Sequence, residues 1–398
     1  MGAATFRAGA ASAIISPPAG AFIAGDKLDR HFTGVHDDLF VKALAVSDGV
    51  ETVVLVSTDC LGLTYGTIQH IREKAAELVP ELEPGHIVIG STHIHTGPDV
   101  IGIYGADRAH SGLDPEYMAR LETASAKTIA DAVRGTRPAS ARYAVTTHGE
   151  GWVVNECEPQ ELDRSVTTLQ FLDESGDTIA TLTNFACHPT ILDGVFNEVS
   201  TDWIGGYYRG MGHALGGTHL FMQGAIGGWV QPVDGARTFE RADRLGHGLA
   251  DAVLAALGKA NELDEAKIRF AGKPLNLPLA NEGWSQLAEL GIIDLPLAGG
   301  VETEVAAFRI GEAEFATHPG ETAPAFQRQT KALMQTEGPK FVLGLTIDAL
   351  GYILKPEYFT PDATFPSAAY LTSMSVGPQT GPLMMKALED VIVRVEGE

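Results

Sequence analysis

The chain has 398 residues, of which 44% are hydrophobic and 20% charged, and its formal net charge at pH 7 is −23. Such an acidic chain offers no basic footprint for a phosphate backbone, and its apolar runs are shorter than the roughly 18–20 residues of a bilayer span, so nucleic-acid binding and integral membrane association are excluded. The three cysteines, Cys60, Cys157 and Cys187, are too few for a disulfide framework.

The first half of the chain alternates strand-like and helix-like patterns, which is typical of an α/β protein. Runs rich in β-branched residues predict strands at Thr52–Ser57 and His86–Thr92, and the segment between them, Thr64–Leu78, has helical spacing. Asp114 followed by Pro115 predicts the start of a helix that Gly135 ends.

The second half of the chain mixes hairpins with further helices. Two pairs of strands flank short turns, at Thr167–Leu172 with Thr178–Phe185 and at Thr303–Ile310 with Ala313–Thr317. Helices are predicted at Asp202–Ala214, Thr238–Ala255, Ala323–Met334 and Gly381–Val393, and strands at His219–Gly224, Lys267–Ala271 and Lys340–Ile347. The predicted sheet is therefore mixed.

The domain organisation is expected to be simple. Residues 1–398 show no repeat and no long linker, which favours one domain, and the Pro- and Gly-containing stretch 275–300 is the candidate for an inserted lobe or lid. Residues 1–7 lack the basic segment and apolar core of a secretory signal, which favours a cytoplasmic location.

The most informative segment is an apolar strand that ends in two histidines, Ile87-Val88-Ile89-Gly90-Ser91-Thr92-His93-Ile94-His95. Residues two apart on a strand point to the same face, so His93 and His95 can face one point, as metal ligands do. Neutral imidazoles suit Zn²⁺. A pair of surface histidines at a strand end explains the isolated motif equally well.

Two other strand ends follow the same pattern. One apolar strand leads to His188 followed by Pro189, and another leads to Thr317-His318-Pro319-Gly320-Glu321, with Glu321 expected in the first turn of the next helix. Ligand sites of α/β proteins lie outside the carboxyl ends of strands, so the three ends together favour a site.

These segments resemble the catalytic domain of the neutral, non-lysosomal ceramidase family, zinc amidases that hydrolyse N-acyl linkages. The resemblance covers nearly the whole chain and is sharpest at Thr92-His93-Ile94-His95-Thr96-Gly97-Pro98, which is similar to the family's Thr-His-Thr-His-Ser-Gly-Pro. It implies a mixed-sheet α/β fold. The chain ends about where that catalytic domain ends, so the C-terminal immunoglobulin-like domain of the family is expected to be absent.

The resemblance also implies a metal site with one Zn²⁺ per chain. His93, His188 and Glu321 match the zinc ligands of the family, and Tyr352 in Gly351-Tyr352-Ile353 matches its zinc-bound tyrosine. Such ligands also accept Mn²⁺, Fe²⁺ or Co²⁺. A bound metal would activate water for attack on an acyl carbon, with His95 as the candidate proton donor to the leaving amine and Tyr352 as a candidate oxyanion donor.

Two departures from the family concern the substrate pocket. The family's Gly-Asp-Val-Ser-Pro segment corresponds here to a segment that contains Trp229 and Gln231 but lacks the aspartate and the serine. The family also has an Asn-Arg pair, and the position of its arginine is occupied here by Glu156. These three residues are the predicted pocket residues, and ceramide is not the expected substrate. Asp202 matches a family Ser-Asp position and is either an N-cap or a residue that orients a ligand.

Three functions remain open from the sequence. The first is a zinc amidohydrolase acting on a small or amphiphilic N-acyl substrate. The second is an ester or lactone hydrolase on the same site, because activated water does not distinguish acyl oxygen from acyl nitrogen. The third is a non-catalytic ligand-binding protein with a structural metal. The oligomeric state is not predicted.

Overall fold

The computed structural model describes residues 6–295 and 299–397. The strands are β1 (Phe6–Ile14), β2 (Gly34–Val35), β3 (Phe40–Ser47), β4 (Thr52–Thr58), β5 (Ile87–Ser91), β6 (Arg137–Thr147), β7 (Val153–Asn155), β8 (Ser165–Asp173), β9 (Thr178–Phe185), β10 (Glu198–Val199), β11 (Thr218–Gln223), β12 (Val230–Pro232), β13 (Asn261–Glu262), β14 (Ile268–Leu277), β15 (Val301–Ile310), β16 (Ala313–Thr317), β17 (Glu321–Thr322), β18 (Lys340–Leu343) and β19 (Tyr352–Ile353). The helices are α1 (Tyr65–Leu78), α2 (Pro115–Arg134), α3 (Trp203–Leu215), α4 (Phe239–Leu257), α5 (Glu282–Glu289), α6 (Pro324–Leu333), α7 (Ala368–Ser373) and α8 (Thr380–Gly397).

The main sheet has the strand order β11-β9-β8-β6-β1-β3-β4-β5, with β13 paired to β6. Its central pairs are antiparallel, whereas β4 with β5 and β9 with β11 are parallel. The sheet curls so that its ends approach each other. Two side-chain hydrogen bonds to carbonyls of β11 show this: Lys42 Nζ on β3 donates to His219 O, and Ser57 Oγ on β4 donates to Phe221 O. The carboxyl ends of β5 and β9 consequently meet.

A second sheet, β14-β15-β16-β18, packs against one face of the main sheet. A run of stacked phenylalanines marks the interface, with Phe308 and Phe315 centroids 4.6 Å apart and Phe315 and Phe341 centroids 4.3 Å apart. The other face of this second sheet carries α8. Buried aromatic area of this kind is a main source of folding free energy.

All six predicted helices are present; α1, α2, α3, α4 and α6 match their predicted bounds to within two residues, α8 extends to Gly397, and α5 and α7 were not predicted. Thr64 caps α1 and Asp114 caps α2 through hydrogen bonds to backbone N–H groups of the first turn, and Gly135 ends α2. Each cap satisfies donors that a helix leaves unpaired at its start. α3 and α4 pack together, with Gly206 and Gly246 allowing their backbones to approach closely. None of the described helices is long and apolar enough to cross a membrane.

The mixed α/β architecture is confirmed, with differences in detail. The strand predicted at Lys340–Ile347 ends at Leu343, because Leu345 and Ile347 have positive φ values of 49° and 74°. β14 continues to Leu277, well beyond the predicted end. The Ala- and Gly-rich β1 was not predicted, nor were β3 and β6. Within the candidate lid at 275–300, Glu282–Glu289 form α5, and residues 296–298 lie outside the described residues, as do residues 1–5 of the segment searched for a signal.

Candidate metal centre

His93 lies two residues beyond the end of β5, in a left-handed backbone conformation with φ 65°. Its N–H donates to Cys60 O at 2.9 Å and its ring Nδ1 lies 2.6 Å from Leu61 O. Because a carbonyl can only accept, Nδ1 carries a proton, and Nε2 is the ring nitrogen left to face the other site residues. The direction of this side chain therefore comes from an irregular loop rather than from strand alternation.

His188 is held in the same way, three residues beyond β9. Its backbone N and its ring Nδ1 both lie within hydrogen-bond distance of Val230 O, at 2.8 and 2.9 Å. The buried amide of Gln223 ties this loop to the His93 loop, since Gln223 Nε2 donates to Thr92 O at 3.0 Å and to Cys187 O at 2.8 Å. The two histidine loops are thus fixed to each other.

His95 has a side-chain partner instead of a carbonyl. Its Nδ1 lies 3.1 Å from Asp193 Oδ2, and its Nε2 is buried with no hydrogen-bond partner among the described residues. Gly25, at φ 126°, passes so close that a Cβ there would lie 2.8 Å from His95 Cβ and 3.1 Å from Asp193 Oδ1. The glycine makes room for this pair.

Glu321 and Tyr352 are brought together by a two-residue parallel ladder. Glu321 does not lie in the first turn of a helix, as the sequence had suggested, but in β17, where it is the register partner of Tyr352 in β19. α6 begins only at Pro324. The Tyr352 hydroxyl accepts a 2.8 Å hydrogen bond from Trp229 Nε1.

The three histidines converge on one point. The His93 ring centroid lies 4.9 Å from those of His95 and His188, and one ring nitrogen from each of the three lies within 4.8 Å of the others. Glu321 Oε2 lies 3.0 Å from His188 Nε2 and 3.5 Å from His93 Nε2. These three histidines, of which His93 and His188 are buried and His95 is half-buried, could therefore hold a metal ion, with a carboxylate beside them.

Two ring nitrogens and one carboxylate oxygen of this cluster face one another, an arrangement that a cation would stabilise. Nδ1 of His93 and Nδ1 of His188 each donate to a backbone carbonyl, so only Nε2 of each ring is left to face Glu321 Oε2. Each of these contacts needs a positive charge between the ring nitrogen and the carboxylate oxygen, which is supplied either by a second proton on each ring or by one divalent ion shared by all three groups. The donor set of imidazole nitrogens and a carboxylate fits Zn²⁺.

Burial and charge shift the pKa values of the two acidic side chains beside the histidines, Glu321 and Tyr352. Burial alone would raise the pKa of Glu321, but His93 and His188 beside it outweigh that effect and hold the pKa well below its usual range. Burial, followed by the negative charge of Glu321, raises the pKa of Tyr352 well above its ordinary value. In this structure Glu321 is thus a carboxylate and Tyr352 a neutral phenol.

A cavity of about 490 Å³ opens onto the histidine cluster. All three predicted pocket residues, Glu156, Trp229 and Gln231, line it together with His95, His188 and Tyr352. Gln231 Nε2 donates to Glu156 Oε1 at 2.7 Å, and the Glu156 amide donates to Trp229 O at 3.2 Å.

Asp202 lies behind the cluster as the N-cap of α3. Its two carboxylate oxygens accept from Trp203 N at 2.6 Å and from Leu192 N at 2.8 Å, and burial raises its pKa to about 6. Trp203 Nε1 in turn donates to His188 O at 3.1 Å. Asp202 has no contact with a histidine ring in the described hydrogen bonds, so any effect on His188 passes through Trp203.

Three other residues have surroundings that separate them from the histidine cluster or from the cavity. His318 is buried between the hydroxyls of Thr322 and Thr330, and burial lowers its pKa to about 3. Cys187 is a buried free thiol, as expected. Trp284 packs against Gly351 and is not among the residues that line the cavity.

Sequence reasoning missed other residues of the cavity, including Asp193 and Tyr370. Asp193 follows His188 by five residues in the same strand-end loop, so the strand-end pattern could have suggested it. Tyr370 lies on α7 in an irregular region with no motif to indicate it. Burial would raise the pKa of Asp193, but the combined effect of His95, Arg30 and Arg237 lowers it.

The fold and the histidine cluster define a mixed α/β protein with a candidate metal centre at the ends of its strands. No protein-family model matches the chain. Among solved structures, the neutral ceramidase from Pseudomonas aeruginosa superposes with a TM-score of 0.82 at 16% sequence identity, over 99% of this chain and 75% of that one. A ceramidase complexed with C2 superposes with a TM-score of 0.81 at 15% identity, over 99% and 76%. The chain therefore has a neutral-ceramidase-like fold.

Proposed function

We propose that this protein is a zinc-dependent hydrolase that cleaves an amide bond of a small or amphiphilic substrate. The observation that carries the proposal is the convergence of His93, His188 and Glu321, since the Nε2 atoms of the two histidines lie 3.5 and 3.0 Å from Glu321 Oε2 and one cation would serve all three groups. The fold shared with ceramidases supports amide hydrolysis over other metal chemistry.

In the proposal, His93, His188, Glu321 and Tyr352 hold one Zn²⁺. The metal would supply a Lewis acid and lower the pKa of water toward about 7. Tyr352, kept neutral by burial, retains a hydroxyl proton that it can donate to a developing oxyanion, since Trp229 occupies only its acceptor side.

His95 is the proposed proton carrier. Asp193 holds its Nδ1 proton, so the buried Nε2 can accept a proton from the attacking water and deliver it to the leaving amine. Asp202 has a positioning role, acting on His188 through Trp203.

The proposed substrate is not ceramide. The cavity is lined by carboxylates of Asp26, Glu156, Asp193 and Asp234, which is a poor environment for a long acyl chain. An ester or a lactone is chemically compatible with the same site, and a screen of amides, esters and lactones would distinguish these substrate classes.

The test combines metal content with activity. Elemental analysis of wild type, His188→Ala and the exposed-histidine control His213→Ala would be run beside a screen of N-acyl amides, esters and lactones. We expect about one zinc per chain in wild type and control, sharply less in His188→Ala, and amide hydrolysis lost in parallel. Zinc unchanged in His188→Ala would overturn the ligand assignment, and zinc without hydrolysis of any acyl compound would favour a structural metal.

A further inference from the structure

One wall of the cavity is formed by three aromatic rings. Trp229 and Tyr370 have ring centroids 5.8 Å apart, and Tyr352 and Tyr370 have centroids 6.4 Å apart. All three side chains line the cavity. Several aromatic faces around one space are a recurring arrangement for binding an ammonium group, because each ring presents its negative face to the cation.

A carboxylate is fixed at the edge of this wall. The Glu156 amide donates to Trp229 O, which anchors the two residues to each other, and Gln231 Nε2 orients the carboxylate through Oε1. Glu156 is exposed and lines the cavity, and it has no cationic partner among the described ion pairs.

The two arginines that line the cavity are hydrogen-bonded to backbone carbonyls and not to the aromatic rings. Arg241 donates to Ala236 O and Val233 O, and Arg237 donates to Asp193 O, so both arginines of the cavity bind its backbone wall. In the part of the chain that the structure describes, the lysine and arginine side chains found over aromatic rings lie on other rings than Trp229, Tyr352 and Tyr370. The aromatic wall is open to a ligand.

We propose that this wall and Glu156 form a subsite for an alkylammonium group, so that the substrate carries a permanent or protonated cation on its amine portion. The inference rests on the proposed function in calling the ligand a substrate. The net charge of −23 would also favour the approach of such a molecule. A neutral amine of the same shape would lack both the cation–π and the carboxylate contacts.

Binding is tested with a matched pair of small molecules. Choline and its neutral isostere 3,3-dimethylbutan-1-ol would be titrated calorimetrically into the zinc-loaded protein. We expect choline to bind at least about fivefold more tightly than the alcohol, the effect of roughly one cation–π or carboxylate contact at a partly exposed site. Equal affinities for the two compounds would overturn the proposal.

Two variants locate the site, with a charge-matched control. Glu156→Gln and Tyr370→Leu are each expected to narrow the choline-to-alcohol affinity ratio by about threefold or more. Glu150→Gln removes an exposed carboxylate that does not line the cavity, and should keep the wild-type ratio. A ratio that is the same in Glu156→Gln and Glu150→Gln would place choline elsewhere and refute the assignment.

Hydrolysis separates this proposal from the proposed function. Two amides with the same acyl group would be compared, one of 2-(trimethylammonio)ethylamine and one of 3,3-dimethylbutylamine, and we expect a higher kcat/KM for the charged amide. Cleavage of both at equal kcat/KM, with no preference for choline, would remove the subsite and leave the hydrolase. Choline binding that depends on Glu156 without cleavage of either amide would keep the subsite and remove the hydrolase.

Discussion

Asp348 provides a quantitative test of the electrostatics of this fold. The side chain is 4% exposed, and its Oδ1 accepts from Tyr65 N at the start of α1 and from Ala349 N. Burial raises its pKa from 3.8 to about 7, which corresponds to roughly 4 kcal/mol of preference for the neutral form.

The sign of the pH dependence follows from this shift. The folded protein binds the Asp348 proton more tightly than the unfolded chain does, so this stabilising contribution is complete below about pH 4 and is lost as the pH rises through 7. Asp348→Asn keeps a neutral acceptor of the same shape. Relative to wild type, the variant should therefore gain up to about 4 kcal/mol in free energy of unfolding between pH 4 and pH 8.

The measurement is urea unfolding of wild type and Asp348→Asn from pH 4 to pH 8, in a chelator so that metal binding adds no pH dependence. Asp177→Asn, which changes an exposed aspartate, controls for the chemical substitution. If the stability curves of wild type and Asp348→Asn stay parallel over this range, Asp348 is charged throughout and the argument from burial is wrong.

Three further predictions concern other parts of the molecule. Gly25→Ala should lower kcat/KM about tenfold with zinc content retained, because the new Cβ displaces His95; unchanged kinetics would contradict the close approach. Phe315→Ala should cost about 3–5 kcal/mol in chemical unfolding, and a loss below about 1 kcal/mol would show that the stacked rings repack. Trp229→Phe removes the N–H that donates to the Tyr352 hydroxyl. It should reduce kcat/KM by about five- to tenfold, which is the effect of one hydrogen bond. Wild-type activity in this variant would mean that the bond does not orient the phenol.

Much of the fold could be predicted from local sequence signals. Single residues often determine where a helix begins and ends, so the bounds of α1 and α2 are predicted to within about one residue at each end. β1 has the sequence Phe-Arg-Ala-Gly-Ala-Ala-Ser-Ala-Ile, whose small residues have low strand propensity, and it is a strand because β3 and β6 pair on either side of it. Pairing across a sheet is not visible in a local window.

Part of the candidate site could also be predicted from local sequence signals. His93 and His188 follow apolar strands, and this pattern marks a sheet edge whatever the fold. The pairing of Glu321 with Tyr352 joins residues 31 positions apart through a two-residue ladder, and was suggested only by the family resemblance. The contact between His95 and Asp193 depends on how two loops cross, which no periodicity records.

The orientation of His93 and His188 by carbonyl oxygens has a consequence for mutational robustness. The acceptors belong to Leu61 and Val230, and every amino acid at these positions would offer the same carbonyl. Substitutions of Leu61 or Val230 can alter packing but cannot remove the backbone carbonyl that accepts from the ring. The orientation of the two rings therefore does not depend on which side chains these positions carry. His95 is different, because its acceptor is the Asp193 side chain and one substitution removes it. New activities on this scaffold would therefore arise more readily around His95 than by rebuilding the other two histidines.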